Sequence, residues 1–115
     1  MSRSEYPLDP EELKRRLRAM HASYRTKVPA KIEAIEALWQ RVRTAAPADE
    51  ARRDLFLAAH TLVGSAPTLG CEPLGAAARE LEIALRAAFA RNAPVSEDEA
   101  LAIGRLVAAL KHSLG

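Results

Sequence analysis

The sequence contains few of the residues that favour β-strands. Aromatic residues occupy 4% of the 115 positions, and Val, Ile and Thr together occupy 13, whereas Ala and Leu together occupy 39. β-branched and aromatic side chains suit a pleated sheet, while Ala and Leu are strong helix formers. A chain of this length forms one domain more readily than two. We therefore expect a single all-α domain.

Features typical of membrane, secreted and zinc-binding proteins are also missing. No apolar run approaches the ~20 residues that span a bilayer, and the first residues lack an apolar stretch of signal-peptide type. The one cysteine, Cys71, cannot form an internal disulfide, and no Cys/His spacing fits a structural zinc site. We expect a cytoplasmic protein with no membrane partner and no metal of its own.

The charges of the chain are nearly balanced, with 17 basic and 15 acidic residues and a net charge of +2. The densest basic cluster consists of Lys14, Arg15, Arg16 and Arg18. We interpret it as the solvated side of a helix, because binding of nucleic acid requires more positive charge gathered on one face. No nucleic-acid partner is expected.

Apolar periodicity predicts a long helical segment near the N-terminus. Residues 1–8 are polar and aperiodic, so we expect a flexible tail, followed by a helical domain over residues 9–115. Asp9 and Pro10 suit the N-cap and first position of a helix. Pro29 interrupts the segment, which either kinks there, the option we favour, or divides into two helices. The apolar positions follow a single helical stripe: Leu13, Leu17, Met20, Tyr24, Val28, Ile32, Ile35, Trp39 and Val42.

Three further helices are predicted by the same reasoning. The second runs from about residue 48 to Gly70, a residue type that commonly ends helices. The third opens at Glu72 and ends near residue 92, and the last begins at Ser96 with a capping-box sequence and has its last apolar position at Leu114. Short linkers between helices of similar length favour antiparallel neighbours. The predicted architecture is an up-down antiparallel four-helix bundle.

One histidine of the second helix has an unusual position. With the apolar stripe of that helix set at zero, His60 lies at about 140° and Gly64 at about 180°. A glycine on an exposed helical face costs ~1 kcal/mol relative to alanine, but it clears the surface one turn from the imidazole. Two interpretations remain open: a nucleophile presented to a large partner, or a surface histidine beside a tolerated glycine.

Residues 59–70, with the sequence AHTLVGSAPTLG, resemble the signature of histidine-containing phosphotransfer (HPt) domains. The matching features are the His-x-Leu-x-Gly-Ser core, the closing Leu-Gly and the Leu81-Glu82 pair on the following helix. The motif covers about a quarter of the chain, and its spacing is fairly specific for a short motif.

The resemblance implies a phosphorelay component that has no kinase activity of its own, with His60 as phosphoacceptor and with Gly64 and Ser65 near the phosphoryl group. Arg53, which the helical wheel places on the same face two turns before His60, could supply a positive charge there. It implies response-regulator receiver domains as partners, allows a hybrid sensor histidine kinase as another, and is compatible with a monomer. It implies no cofactor on this chain and places Mg²⁺ on the receiver domain. The surface implied for docking consists of Phe56, Leu57, Thr61, Val63, Gly64 and Pro67.

The sequence departs from the family at two positions. Many relatives carry a lysine three residues after the histidine, and others a basic residue directly after it, whereas this chain has Val63 and Thr61. A cation would stabilise the roughly −2 charge of a phosphorylated side chain. The departure keeps open a non-catalytic module that binds a receiver or kinase as inhibitor or scaffold. A domain cut from a larger hybrid kinase is a third possibility.

Overall fold

The computed structural model describes residues 9–44 and 49–114, and this part of the chain contains helices and no strand. Each helix packs against the next, and the last also packs against the first. None of the helices described has the length and apolar character needed to cross a membrane. The predicted all-α, up-down four-helix bundle is confirmed. Its helices are α1 (Pro10–Thr44), α2 (Asp49–Thr68), α3 (Glu72–Phe89) and α4 (Glu97–His112).

Helix α1 continues through Pro29, so the predicted alternative of two helices meeting there is wrong. A proline inside a helix removes one backbone hydrogen bond and crowds the preceding turn. Val28 and Ile32 are nevertheless both buried, because the apolar stripe keeps its phase across the proline. Packing of that stripe against the bundle outweighs the local cost. The tail predicted over residues 1–8 lies outside the described residues.

The helix ends follow the local signals of the sequence. Asp9 caps α1, since its Oδ1 accepts a hydrogen bond from the amide of Glu12 at 2.9 Å. Ser96 and Glu99 form the predicted capping box at the start of α4. Gly70 has φ +89°, a conformation that glycine adopts without steric cost, and it closes the turn between α2 and α3. Helix α3 ends at Phe89, slightly before the predicted boundary.

All four helices contribute apolar side chains to one continuous core. Its largest fully buried members include Ile35, Leu55, Leu81 and Leu110. Burying a side chain of this size contributes about 1.5–3 kcal/mol, so the stripes predicted for the four helices supply the main stabilisation of the bundle.

The first three members of the predicted α1 stripe do not join this core. Leu13, Leu17 and Met20 are 48%, 43% and 53% exposed, which corrects the prediction that they are buried. The reason is the length of α1 relative to its neighbours: His21 already lies beside Gly70, in the turn that ends α2. Residues 10–20 therefore extend about 16 Å past that turn, and we call this segment the α1 overhang.

The end of the last predicted stripe needs a similar correction. Leu114 follows the final turn of α4 and is 37% exposed. It lies beyond the end of α4 at His112, where the apolar stripe of the helix no longer continues.

Candidate functional site

The imidazole of His60 stands on the exposed side of α2, and 62% of its side-chain surface is open to solvent. The predicted outward orientation is confirmed. Its Nδ1 atom contacts Oε2 of Glu82 on α3. The ring is thus accessible on one side and fixed by the neighbouring helix on the other.

Glu82 is a buried carboxylate inside the apolar stripe of α3. Only 11% of its side chain is exposed, and its neighbours Leu81 and Leu85 are fully buried. A carboxylate in such surroundings requires a hydrogen-bonding or charged partner. His60 provides one, and the guanidinium of Arg86 lies 3.9 Å from the same oxygen.

The contact between His60 and Glu82 determines which ring nitrogen can react. A neutral imidazole carries a proton on one nitrogen and a lone pair on the other. An ionised carboxylate only accepts hydrogen bonds. Nδ1 of His60 therefore carries the ring proton and donates a hydrogen bond to Oε2 of Glu82. The lone pair then belongs to Nε2, the nitrogen that Glu82 does not hold. The arrangement presents a nucleophile on an open helical surface.

The His60 ring stacks on Phe56, and Phe56 in turn contacts Arg86. The ring of Phe56 is nearly parallel to that of His60, with an interplanar angle of 9° and centroids 6.1 Å apart. The guanidinium of Arg86 lies over the Phe56 ring, 5.3 Å from its centroid. This cation–π contact helps to hold the guanidinium of Arg86 near the Glu82 carboxylate, where Nη2 lies 3.9 Å from Oε2. His60 therefore has a cation nearby on α3 although its own helix offers none at positions 61 and 63.

A basic groove continues from this cluster toward the start of α2. Arg52 lies over Phe89 at 5.1 Å, and its Nη2 donates to the carbonyl of Ala93 at 2.8 Å. Arg53 and Arg86 line the same groove. The N-terminal side of the site therefore carries positive charge on both α2 and α3.

Gly64 leaves the other side of the histidine open. It is exposed, and a Cβ atom placed there would have no non-local atom within 4 Å. The surrounding surface is apolar, because Leu57 is 52% exposed and Val63 is half-buried. We call this surface the α2 face, which consists of Phe56, Leu57, His60, Val63 and Gly64.

Comparison with known proteins agrees with this geometry. A model of the Hpt domain matches residues 19–113, which is most of the chain. The chain belongs to the Hpt domain family. A comparison with curated proteins and one with solved structures gave no match, so the assignment rests on the family model. An Hpt domain is a helical bundle, as observed.

This Hpt domain does not bring all of the predicted site residues together. Ser65 lies on the side of α2 that faces α1, where its hydroxyl and that of Tyr24 are 2.8 Å apart. Pro67 is exposed, yet its ring packs so tightly on α3 that a Cβ added at Gly75 would lie 2.5 Å from it. Thr61 is exposed and its hydroxyl donates to the carbonyl of Leu57. Arg53 lines the basic groove together with Phe56 and does not contact His60.

Sequence reasoning missed two side chains of this Hpt domain. Glu82 was matched to the family pattern without a role, although a carboxylate between the buried positions Leu81 and Leu85 is itself a signal. Arg86 follows Glu82 by four residues, a spacing that allows an ion pair on one helical face. The contact of Glu82 with His60 and that of Arg86 with Phe56 depend on the register of α3 against α2. The apolar periodicity of the sequence does not define this register.

Within the residues that the structure describes, no three His, Cys, Asp or Glu side chains converge as ligands of an ion would. The site is a single imidazole with one carboxylate partner, next to a basic groove.

Proposed function

We propose that this Hpt domain carries a phosphoryl group on Nε2 of His60, accepting it from the aspartyl phosphate of one receiver domain and passing it to another. The observation that supports this most directly is an exposed imidazole whose Nδ1 is held by the buried carboxylate of Glu82. The proposal places the protein in the cytoplasm, as a monomer that meets its partners one at a time.

The chemical step requires only the lone pair of His60. Nε2 attacks the phosphorus, a P–N bond forms, and the P–O bond to the partner's aspartate breaks with its electron pair leaving on that carboxylate. The ring now has a proton on Nδ1 and a phosphoryl group on Nε2, so it carries a positive charge. Glu82 compensates that charge and keeps the proton in place. The return transfer reverses these bonds.

Arg86 supplies the local positive charge that Val63 and Thr61 do not. A phosphorylated histidine adds a charge of roughly −2 at this surface. Arg86 already lies near both Glu82 and Phe56, and its exposed guanidinium can turn toward the phosphoryl oxygens. Phosphoryl transfer depends mostly on positioning and charge stabilisation. The remaining stabilisation is expected from the Mg²⁺ ion that the receiver domain holds.

The α2 face gives a receiver domain room to approach. Gly64 removes side-chain bulk one turn from His60, while Leu57 and Phe56 offer apolar area beside the ring. Close approach is required because in-line transfer needs the reacting atoms about 3–3.5 Å apart.

A phosphotransfer assay with radiolabelled receiver domains tests the proposal. Wild-type protein is expected to acquire a label that is labile in acid and stable in alkali, and the His60→Gln variant is expected to acquire none. Phosphorus NMR of the labelled protein should show phosphorylation at Nε2. A wild-type protein that stays unlabelled with every cognate phosphorylated receiver would exclude the relay function.

A non-catalytic module that binds receivers or kinases is the second candidate, and the departures at Thr61 and Val63 favour it. The two functions differ in their dependence on the imidazole. A scaffold or inhibitor keeps its affinity for a receiver when His60 is replaced by Ala, and it carries no phosphate. A relay protein acquires phosphate as the wild type and loses it with the histidine, so phosphate on the wild-type protein is the result that separates the two.

A further inference from the structure

The α1 overhang carries a row of apolar side chains with nothing packed on it among the described residues. Leu13, Leu17 and Met20 are about half exposed, and their spacing of four and three residues continues to the buried Tyr24. At 100° per residue these positions fall within about 60° of the helix circumference. We call Leu13, Leu17 and Met20 the α1 seam. Its width is that of a coiled-coil contact line.

The positions flanking the α1 seam are basic. With Leu17 at heptad position a, Lys14 falls at e and Arg16 at g. Lys14 forms an ion pair with Glu11, and Arg15 and Arg16 form ion pairs with Glu12. Exposed pairs of this kind are weak, and the side chains of Lys14 and Arg16 remain 63% and 62% exposed, so both can pair with a partner's carboxylates. Seven basic residues and no acidic residue follow over positions 14–31: Lys14, Arg15, Arg16, Arg18, Arg25, Lys27 and Lys31.

We propose that the α1 overhang binds an amphipathic helix of a partner protein, with apolar residues along one face of that helix and acidic residues on both sides of it. The apolar face would cover Leu13, Leu17 and Met20. The acidic flanks would pair with Lys14 and Arg16, because charges at e and g positions select the partner of a coiled coil. This site is separate from His60, so it does not depend on phosphotransfer.

A second copy of this chain is a poorer occupant on grounds of charge. In an antiparallel pair of overhangs, Arg16 of one copy faces Arg16 of the other. In a parallel pair Arg16 faces His21, and Lys14 alone meets an acidic residue, Asp9, so a second copy pairs at most one of the two basic flanks. Like charges at these positions oppose pairing. The occupant that fits is therefore a different, acidic helix.

The shape of the seam disfavours two other anionic partners. A helix that lies in a membrane surface presents a broad apolar face, often with aromatic residues, whereas this seam is narrow and aliphatic. A nucleic acid uses the basic side chains and leaves an apolar row unused. Only a helix makes use of both features.

The probe is a synthetic peptide of about three heptads with Leu at a and d and Glu at e and g, which is kept from pairing with itself by its own charge. Its binding to the full chain is measured by fluorescence anisotropy. A second peptide has Lys in place of every Glu. We expect the acidic peptide to bind at least about tenfold more tightly than the basic one.

Variants of the full chain separate the seam from its flanks. Leu17→Asp should weaken binding of the acidic peptide by about tenfold or more, since it places a carboxylate in the contact line. Lys14→Glu combined with Arg16→Glu should reverse the preference in favour of the basic peptide. Leu101→Asp replaces a leucine of α4 that is even more exposed than Leu17 and should leave binding unchanged. Circular dichroism confirms that each variant keeps its helix content.

Four outcomes would overturn the proposal. The first is equal binding of both peptides, and the second is no binding of either. The third is a Leu17-dependent dimer of the chain alone in sedimentation, which would identify a second copy as the occupant. The fourth is that the protein binds phosphatidylglycerol vesicles or duplex DNA but does not bind the acidic peptide.

Discussion

The α2 face and the α1 overhang are two surfaces built from similar materials with different support beneath them. Each exposes large aliphatic side chains, such as Leu57 and Leu17, beside arginines and lysines. The α2 face has α3 packed under it, and Glu82 reaches from there to the ring of His60. The overhang has no helix under it among the described residues. A side chain of the neighbouring helix therefore holds the imidazole of the α2 face in one orientation, and the overhang has no comparable support in the described part of the chain.

The difference shows how an exposed apolar residue acquires meaning. Isolated aliphatic side chains are common on protein surfaces and need no explanation. On the α2 face the role we propose for them follows from the imidazole that they surround, whereas the role proposed for the overhang follows from a periodic row and its charges. Variants that affect one surface and spare the other therefore test both assignments.

The largest effect is expected from the support under His60. Glu82→Leu keeps the volume of a buried side chain and removes the acceptor of the Nδ1 proton, so the fold should persist while the ring tautomer becomes mixed. We expect phosphotransfer to fall about tenfold to a hundredfold, which is the cost commonly found when a group that orients a metal-binding histidine is lost. Glu82→Gln retains an acceptor oxygen and should lose less.

Two measurements accompany this prediction. Nitrogen NMR of the His60 ring should show the Nδ1–H tautomer in the wild type and a mixture in Glu82→Leu. Glu80→Gln, on the exposed side of α3, is the matched control and should transfer normally. Full activity of Glu82→Leu together with an unchanged tautomer would show that Glu82 does not position the ring.

The second effect separates docking from chemistry on the α2 face. Gly64→Leu places a side chain in open space, since nothing lies within 4 Å of its Cβ. Transfer from a receiver domain should fall about tenfold or more because close approach is blocked, while labelling of His60 by the small donor phosphoramidate should persist. The helix should gain about 0.5–1 kcal/mol from loss of a glycine.

Gly104→Ala serves as the control for Gly64. This half-buried glycine of α4 allows a Cβ at 3.8 Å from the indole nitrogen of Trp39, an ordinary contact, so the change should raise stability and leave transfer intact. If Gly64→Leu transfers from receivers as fast as the wild type, the receiver docks on another surface.

Much of this architecture was predictable from sequence, because burial of an apolar stripe is a local property of each helix. The apolar stripe of the second helix, which consists of Leu55, Ala59, Leu62, Ala66 and Leu69, predicts the core side of α2 and therefore the outward position of His60. The partnership with Glu82 was not predictable, since it depends on how α3 slides along α2. The overhang was missed because a period of 3.6 residues looks the same in a covered and in an uncovered helix.

A third prediction compares the covered part of α1 with the α1 overhang. Ile32 and Leu17 belong to one sequence stripe, but Ile32 is 1% exposed and Leu17 is 43% exposed. Ile32→Ala should lower the free energy of unfolding by about 2–5 kcal/mol, and Leu17→Ala should change it by less than about 0.5 kcal/mol. Urea denaturation monitored by circular dichroism measures both. Similar costs would mean that the overhang is packed in solution.

The smallest expected effect concerns Glu99. This carboxylate belongs to the capping box at the start of α4 and to neither of the two surfaces. The side chain of Arg91 donates to it at 2.5 Å and the amide of Ser96 at 2.8 Å, and these bonds lower the pKa of Glu99 from its ordinary value of 4.5 to about 2. A carboxylate with a lowered pKa stabilises the fold above its unfolded pKa, and this contribution disappears as the pH falls through the folded value.

The capping box at the start of α4 should therefore weaken between pH 4.5 and about pH 2. Glu99→Gln removes the ionisation, so the wild type should exceed the variant in urea midpoint at neutral pH and lose that advantage in acid. A difference that stays constant across this range would show that the charge of Glu99 contributes nothing. Phosphotransfer measured at neutral pH should be the same in both proteins, because this carboxylate, unlike Glu82, holds no reactive ring.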